Sequence, residues 1–187
     1  MRREATADRP SLVIRDVRPD ELEAVAAIIR AAYAEYAGAM PEGRWERYMR
    51  HATDVASRLD EAELIAAELE DRLVGAVTYY PDGSRSGAGS WPSGWAAIRL
   101  LGVHPDARGM GIGRALIQEC IDRARALGAA AVGLHTTELM AVARAMYERM
   151  GFVRAPEFDF RPPSGTHAMA YTFALTATPP VTRSSRS

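Results

Sequence analysis

The sequence contains no lysine: all 23 of its basic residues are arginine. That absence excludes a phosphate loop of the Gly-Lys-Ser/Thr kind, whose ammonium group reaches the outer phosphates. We read it as base composition, since the codons for Arg, Ala and Gly are all rich in G and C. Cysteine is almost missing as well. The single Cys120 rules out an internal disulfide and a multi-cysteine zinc site, and it fits a reducing, cytoplasmic compartment. No set of residues has metal-ligand spacing, so no metal is expected. Neither charge sign is in excess: 23 basic residues stand against 24 acidic ones, for a net charge of -1. A dedicated nucleic-acid binder would carry a basic surplus, so no nucleic-acid partner is expected. Long apolar runs are lacking too. The stretch from Ala24 to Ala34 is interrupted by Arg30, well short of the roughly eighteen residues of a membrane span, so no membrane partner is expected. The amino terminus, MRREATADRP, is charged with no apolar run behind it, and does not read as a secretory signal.

What is present is ordinary globular material. The 187 residues are 48% hydrophobic and 25% charged, which fits one domain with a sizeable core. Residues 1–10 and 177–187 are polar, and the sequence predicts flexible tails around a domain over residues 11–176. Inside it the periodicity alternates. Strands are predicted at Leu12 to Asp16, Glu63 to Glu70, Arg72 to Tyr80, Trp95 to Val103, Ala130 to His135, Phe152 to Phe160 and His167 to Leu175. Helices are predicted after Arg18-Pro19-Asp20, over Arg44 to Arg58, over Gly111 to Leu127, and over Leu139 to Met150 with Gly151 closing the last. The fold class is therefore α/β, a single domain with a mixed sheet of about seven strands flanked by about four helices.

The chemistry concentrates between Leu100 and Phe152. A strand ends at Val103, and Arg108-Gly109-Met110-Gly111-Ile112-Gly113-Arg114 then leads into a helix. A strand, a glycine-rich loop and a helix N-terminus together make a site for phosphate. The loop amides lack intrahelical partners, and the helix dipole adds partial positive charge. Arg108 and Arg114 can add charge at the rim. A dinucleotide loop would need G-x-G-x-x-G. Counted from Gly109 its sixth position is Arg114, and counted from Gly111 it is Leu116; no ribose-binding acid follows the next strand, which ends in Leu134-His135. A pyrophosphate loop of the pattern Q/R-x-x-G-x-G/A is matched in full by Arg108, Gly111 and Gly113.

With Leu100-Leu101-Gly102-Val103-His104-Pro105 before that loop and Ala145-Met146-Tyr147-Glu148-Arg149-Met150-Gly151-Phe152 after it, the segment resembles the acyl-CoA-binding core of the GNAT acetyltransferase superfamily. The likeness is residue-level over about a third of the chain, and element order extends it from Leu12 to Leu175. It implies a mostly antiparallel sheet whose fourth and fifth strands splay apart around a pantetheine arm. It implies acetyl-CoA as cosubstrate and direct transfer to a primary amine of a small molecule or peptide. Leu101, Gly102 and Val103 would meet the pantetheine and the thioester carbonyl, and Gly109, Met110, Gly111, Ile112, Gly113 and Arg114 the pyrophosphate. Tyr147 would be the general acid that protonates the leaving thiolate. Relatives often dimerise, so a homodimer is among the states the resemblance leaves open.

Two family features are missing. No carboxylate stands in the middle of the fourth strand to serve as base, and Met140 replaces the asparagine that commonly contacts pantetheine seven residues before the tyrosine. His135, at the end of the fifth strand, is the substitute base. Glu138, Thr136 and Thr137 are expected to cap the following helix. The acceptor pocket would draw on Tyr33, Glu35, Tyr36, Met40, Glu42 and Trp45, on Phe158 to Thr166, and on Tyr79 and Tyr80. Aromatics with a carboxylate suit a cationic, partly apolar amine. Besides the enzyme, two readings stay open: a non-catalytic acyl-CoA sensor, motivated by the missing carboxylate, and an enzyme using NAD or another nucleotide.

Overall fold

A computed structural model of the protein describes residues 11–40, 43–162 and 167–175. Seven strands and four helices follow one another as β1 (Leu12–Asp16), α1 (Leu22–Tyr33), α2 (Arg44–Thr53), β2 (Glu63–Leu69), β3 (Arg72–Tyr80), β4 (Trp95–Val103), α3 (Ile112–Ala126), β5 (Ala131–Thr136), α4 (Ala141–Met150), β6 (Val153–Arg154) and β7 (Met169–Ala174). They build one sheet in the order β1-β2-β3-β4-β5-β7-β6. Only β4 and β5 run parallel; every other pair is antiparallel. The tails predicted at 1–10 and 177–187 lie outside the described residues.

Strand alternation sorts side chains onto two faces. On one face α3 buries Ile112, Leu116, Ile117, Cys120 and Ile121 against Ile65, Val77, Tyr79, Ile98 and Leu134. The spacing of those α3 residues is that of one helical stripe. On the other face α1 and α2 bury Val25, Ile29, Ala32, Tyr33, Met49 and Ala52 against Leu64 and Ala76. A third cluster on this same face, Trp91 with Tyr80, Ala97 and Ala170, covers the right-hand strands. Among the described residues no helix is long and apolar enough to cross a membrane.

Several predicted elements are shorter than the sequence suggests. α2 stops at Thr53 instead of Arg58; a separate 3-10 turn follows at Ala56–Arg58. α4 begins at Ala141, two residues later than expected, with Met140 outside the helical region. The strand predicted over Phe152 to Phe160 is reduced to Val153–Arg154, because Pro156 opens a 3-10 turn that ends at Phe158. Proline has no N–H to give to the ladder, so the strand cannot continue through it. Pairing resumes only as a single bridge between Phe160 and Ala168.

Candidate active site

The site begins with a fault in the sheet. Ala76 faces Gly102 and Thr78 faces Arg99, so Val77 alone stands opposite both Leu100 and Leu101. This is a β-bulge, and Leu100 takes up the extra length at φ +53°. One strand over, the parallel pairing of β4 with β5 runs from Trp95/Ala131 to Ile98/Leu134 and stops. His135 and Thr136 pair only with β7. Beyond Ile98 the two strands therefore diverge, and the β5 side of Leu101 and Val103 is left open.

A cleft of about 550 Å³ lies beside this open edge, between the end of β4, the loop before α3, the end of α1 and α4. Leu101, Val103, Gly109, Gly111, Ile112, Gly113 and Arg114 form one wall; Met140, Ala143, Met146, Tyr147 and Met150 form the other; Tyr33 and Tyr36 close an end. Gly109 and Gly111 sit at φ +78° and +80°, and a Cβ at either would meet nothing within 4 Å. They are glycines for their backbone conformation, which L-residues with side chains resist. Among the described residues no amide from Gly109 to Arg114 donates to a backbone carbonyl; the first bond at this end is from Ala115 N to Gly111 O, 3.0 Å. A row of free donors at the start of α3 faces the cleft, as an anion site requires. The buried hydroxyls of Thr136 and Thr137, at the end of β5, also lack a partner among the described residues. Neither caps α4, and nor does Glu138: Met140 occupies the N-cap with no side-chain bond.

Tyr147 is buried among the core residues and also lines the cleft. Its ring lies 5.8 Å from that of Phe152. Burial pushes its phenol well above the ordinary tyrosine range, so the group holds its proton at any working pH. Tyr33 lines the same cleft, packs at 6.1 Å from Tyr36 and 6.0 Å from Tyr48, and is likewise pushed up by burial.

Other predicted residues stand differently from what the sequence suggests. Arg108 lines the cleft but is not free. Its guanidinium donates to the carbonyl of Ala32 at 2.9 Å and pairs with Glu35 at 2.8 Å, so it fastens the loop to the end of α1. Glu35 also lines the cleft, with its half-exposed carboxylate paired to Arg108. Gly102 is buried under α1, where a Cβ would meet Ala32 at 3.4 Å. Met110 is exposed on the outside of the loop and does not line the cleft. Tyr79 is not in the cleft at all: strand alternation sends it into the α3 core, fully buried, with its hydroxyl unpartnered. Glu42 and residues 163–166 of the expected acceptor loop lie outside the described residues.

His135 is not among the cleft-lining residues. It projects to the α1–α2 face, with its ring 4.6 Å from Trp91 and 4.8 Å from Phe160. Its Nε2 is 2.9 Å from the carbonyl of Phe158, and burial lowers its pKa. As a neutral ring it donates from Nε2 and leaves Nδ1 with no partner among the described residues. Phe158 itself packs at 5.4 Å from both Trp91 and Trp95, so those tryptophans belong to an aromatic wall around His135. Sequence reasoning missed Arg149, Ala143 and Met146 as cleft residues. Ala143 lies one turn before Tyr147, and Met146 and Arg149 follow Ala143 at three-residue steps along the helix, so helical spacing was the available signal.

Residues 25–152 match the family model described as acetyltransferase (GNAT) family. Among curated proteins, the chain is 30% identical over 128 residues to a mycothiol acetyltransferase of Geodermatophilus obscurus, covering 67% of this chain and 40% of that protein. It is 33% identical over 124 residues to the mycothiol acetyltransferase of Cellulomonas flavigena, covering 65% and 36%. The chain thus spans two fifths or less of the length of these relatives. Among solved structures, the PaiA N-acetyltransferase of Thermoplasma acidophilum in complex with coenzyme A superposes with a TM-score of 0.67 at 17% identity, over 87% of this chain and 99% of that one. A GNAT family acetyltransferase of Brucella melitensis in complex with acetyl-CoA gives 0.61 at 20% identity, over 88% of each. The family match runs from α1 through β4, the glycine loop and the Tyr147 helix to Phe152, more than half of the chain, and the chain belongs to the GNAT acetyltransferase family.

Proposed function

We propose that the protein transfers an acetyl group from acetyl-CoA to an amine by direct attack, with Tyr147 as general acid and His135 as general base. The observation that carries this is the cleft between the open edge of β4 and α4, with free loop amides at one end and Tyr147 on its wall. The residues fit coenzyme A: unpartnered amides with glycine-permitted geometry suit the pyrophosphate, and the open edge at Leu101 and Val103 suits pantetheine amides. Arg114 and Arg149, which also line the cleft, add positive charge for the phosphates. The bound thioester supplies an activated acyl group. The chain's own task is mainly to bring an amine to that carbonyl in the right geometry.

Tyr147, always protonated, is suited to give a proton to the departing sulfur. His135, kept neutral by burial, is suited to receive a proton at Nδ1. Calorimetry tests the ligand class: coenzyme A binding at least about tenfold tighter than NAD supports this reading, and the reverse order overturns it.

A further inference from the structure

One group of side chains has no role in the reading above. Arg99 lies on β4 one residue past Ile98, the last residue paired with β5. It is paired with Thr78, on the face that α1 and α2 cover. One guanidinium nitrogen, Nη1, donates to the carbonyl of Ser86. Among the described residues the other, Nη2, has only the ring Nε2 of His51, 3.5 Å away. Behind them Arg58 is 5% exposed and donates to the carbonyls of His51 and Ala52 at the end of α2. Neither Arg99 nor Arg58 forms an ion pair with a described carboxylate. Arg15, Arg123 and Arg154, also partly buried, are each matched by at least one.

The surroundings keep this spot positive. His51 is held toward its neutral form by burial and by Arg99 and Arg58, against a weaker pull from Asp54. His135 also feels Arg99, and the acid nearest to it in effect, Asp159, is already engaged by Arg154, His167 and the amide of Ala170. The glycine-rich loop after β3 closes over both groups. A Cβ on Gly87 would come within 3.8 Å of Arg99 Nη1, and one on Gly89 would press on the His135 ring at 2.9 Å. Tyr33 links this region to the cleft, since it lines the cleft and lies within the field of Arg99. A half-enclosed cation without a counter-charge costs free energy, and an incoming anion offsets it.

We infer that Arg99, with His51 beside it, is the recognition point for an anionic oxygen group, a carboxylate or a phosphate ester, that the acceptor carries close to its amine. The inference rests on the acetyl-transfer reading, because it takes the α1–α2 side of the splay as the acceptor's approach. It reverses the expectation drawn from Glu35 and the tyrosines: a purely cationic amine is repelled here, and an amine with an adjacent anion is held.

The test is coenzyme A release by the full chain with matched acceptors: the common α-amino acids against their amides, and phosphoethanolamine against ethanolamine. The expected result is a preference of about tenfold or more in kcat/KM for the anionic member of one of the two series, which also tells carboxylate from phosphate. R99Q should bring that ratio to within about twofold through KM, R99K should restore part of it, and KM for acetyl-CoA should stay unchanged. Equal or better use of the uncharged members, or a ratio that R99Q leaves intact, overturns the inference. A second readout does not need turnover: NMR of the ring signals of His51 and His135 in the coenzyme A-loaded protein, titrated with acetate and with inorganic phosphate. Saturable shifts that R99Q abolishes keep the anion site even if no amine is acetylated and the transfer reading fails. No shift with either anion overturns the anion site even if transfer is observed.

Discussion

At the scale of single residues, the account turns on two proton-carrying groups held in opposite states. Tyr147 is kept protonated and His135 unprotonated, and burial does both, because it disfavours the charged form of each. Tyr147→Phe should lower turnover by about tenfold or more while acetyl-CoA affinity stays within about twofold, as steady-state kinetics and calorimetry will report. An unchanged turnover would remove Tyr147 from the acid role. For His135 the sign is also fixed. Its pKa is lowered from 6.5, so the ring is already a competent base at neutral pH, and the acid limb of kcat/KM should fall below that value. His135→Gln should abolish that limb in a pH–rate profile; a limb that survives assigns the base elsewhere. The tyrosine was legible in the sequence because it sits in a patterned run on a helix. The setting of His135 was not. Its partners Trp91, Phe158 and Phe160 come from distant segments, and no local signal joins them. Tyr79 and Tyr80 misled for a plainer reason: they end one strand, alternation sends one to each core layer, and neither reaches the cleft.

At the scale of elements, the loop before α3 divides its labour. Gly109 and Gly111 give the backbone its left-handed turns, Arg108 moors it to α1, and Gly113 leaves room. A Cβ at Gly113 would touch Met146 Sδ at 3.4 Å, Val103 at 3.7 Å and Leu101 at 3.8 Å, without positive φ. Alanine is therefore accommodated there, while the extra methyls of valine intrude on the cleft. Gly113→Ala should leave KM for acetyl-CoA within about twofold, and Gly113→Val should raise it about tenfold, with stability changed by about 1 kcal/mol at most, as helix propensity dictates. Equal behaviour of the two variants would show that Gly113 does not border the ligand. The loop could be read from the chain because its glycines fall at fixed offsets next to a helix start. The short β6 could not: apolar residues on both sides of Pro156 resemble a strand, and only the missing N–H breaks it.

At the scale of the whole molecule, two opposed layers of helix hold a sheet that must stay open at one place. The alternation of elements gave the α/β class and the strand number, since each element carries its own period. The splay itself depends on a register between β3 and β4 and on where β4 leaves β5, both long-range pairings, and it entered the sequence reading only through family resemblance. The far edge of the sheet is tied by charge. Arg15 on β1 donates to Glu21 at 2.7 and 2.8 Å, and also to Glu68 on β2. These bonds lower the Glu21 carboxyl from its ordinary 4.5 to about 2. A carboxyl depressed in the folded state adds stability above its unfolded pKa and loses it as pH falls through the folded one. Glu21→Gln should therefore weaken the protein at neutral pH and flatten the fall in melting temperature between about pH 4.5 and about pH 2. Parallel wild-type and variant curves would exclude this pair from acid stability.

Acetyl transfer to an amine is tested by coenzyme A release from acetyl-CoA with a panel of amines. Amino acids, polyamines, aminoglycosides, arylamines and peptide amines, each at about pH 7.5 and about pH 9, cover the acceptor classes and the deprotonation of the amine. The expected result is saturable release with at least one class, lost in Tyr147→Phe. Tight acetyl-CoA binding with no release from any class at either pH would contradict it, and would leave a protein that holds the coenzyme without using it.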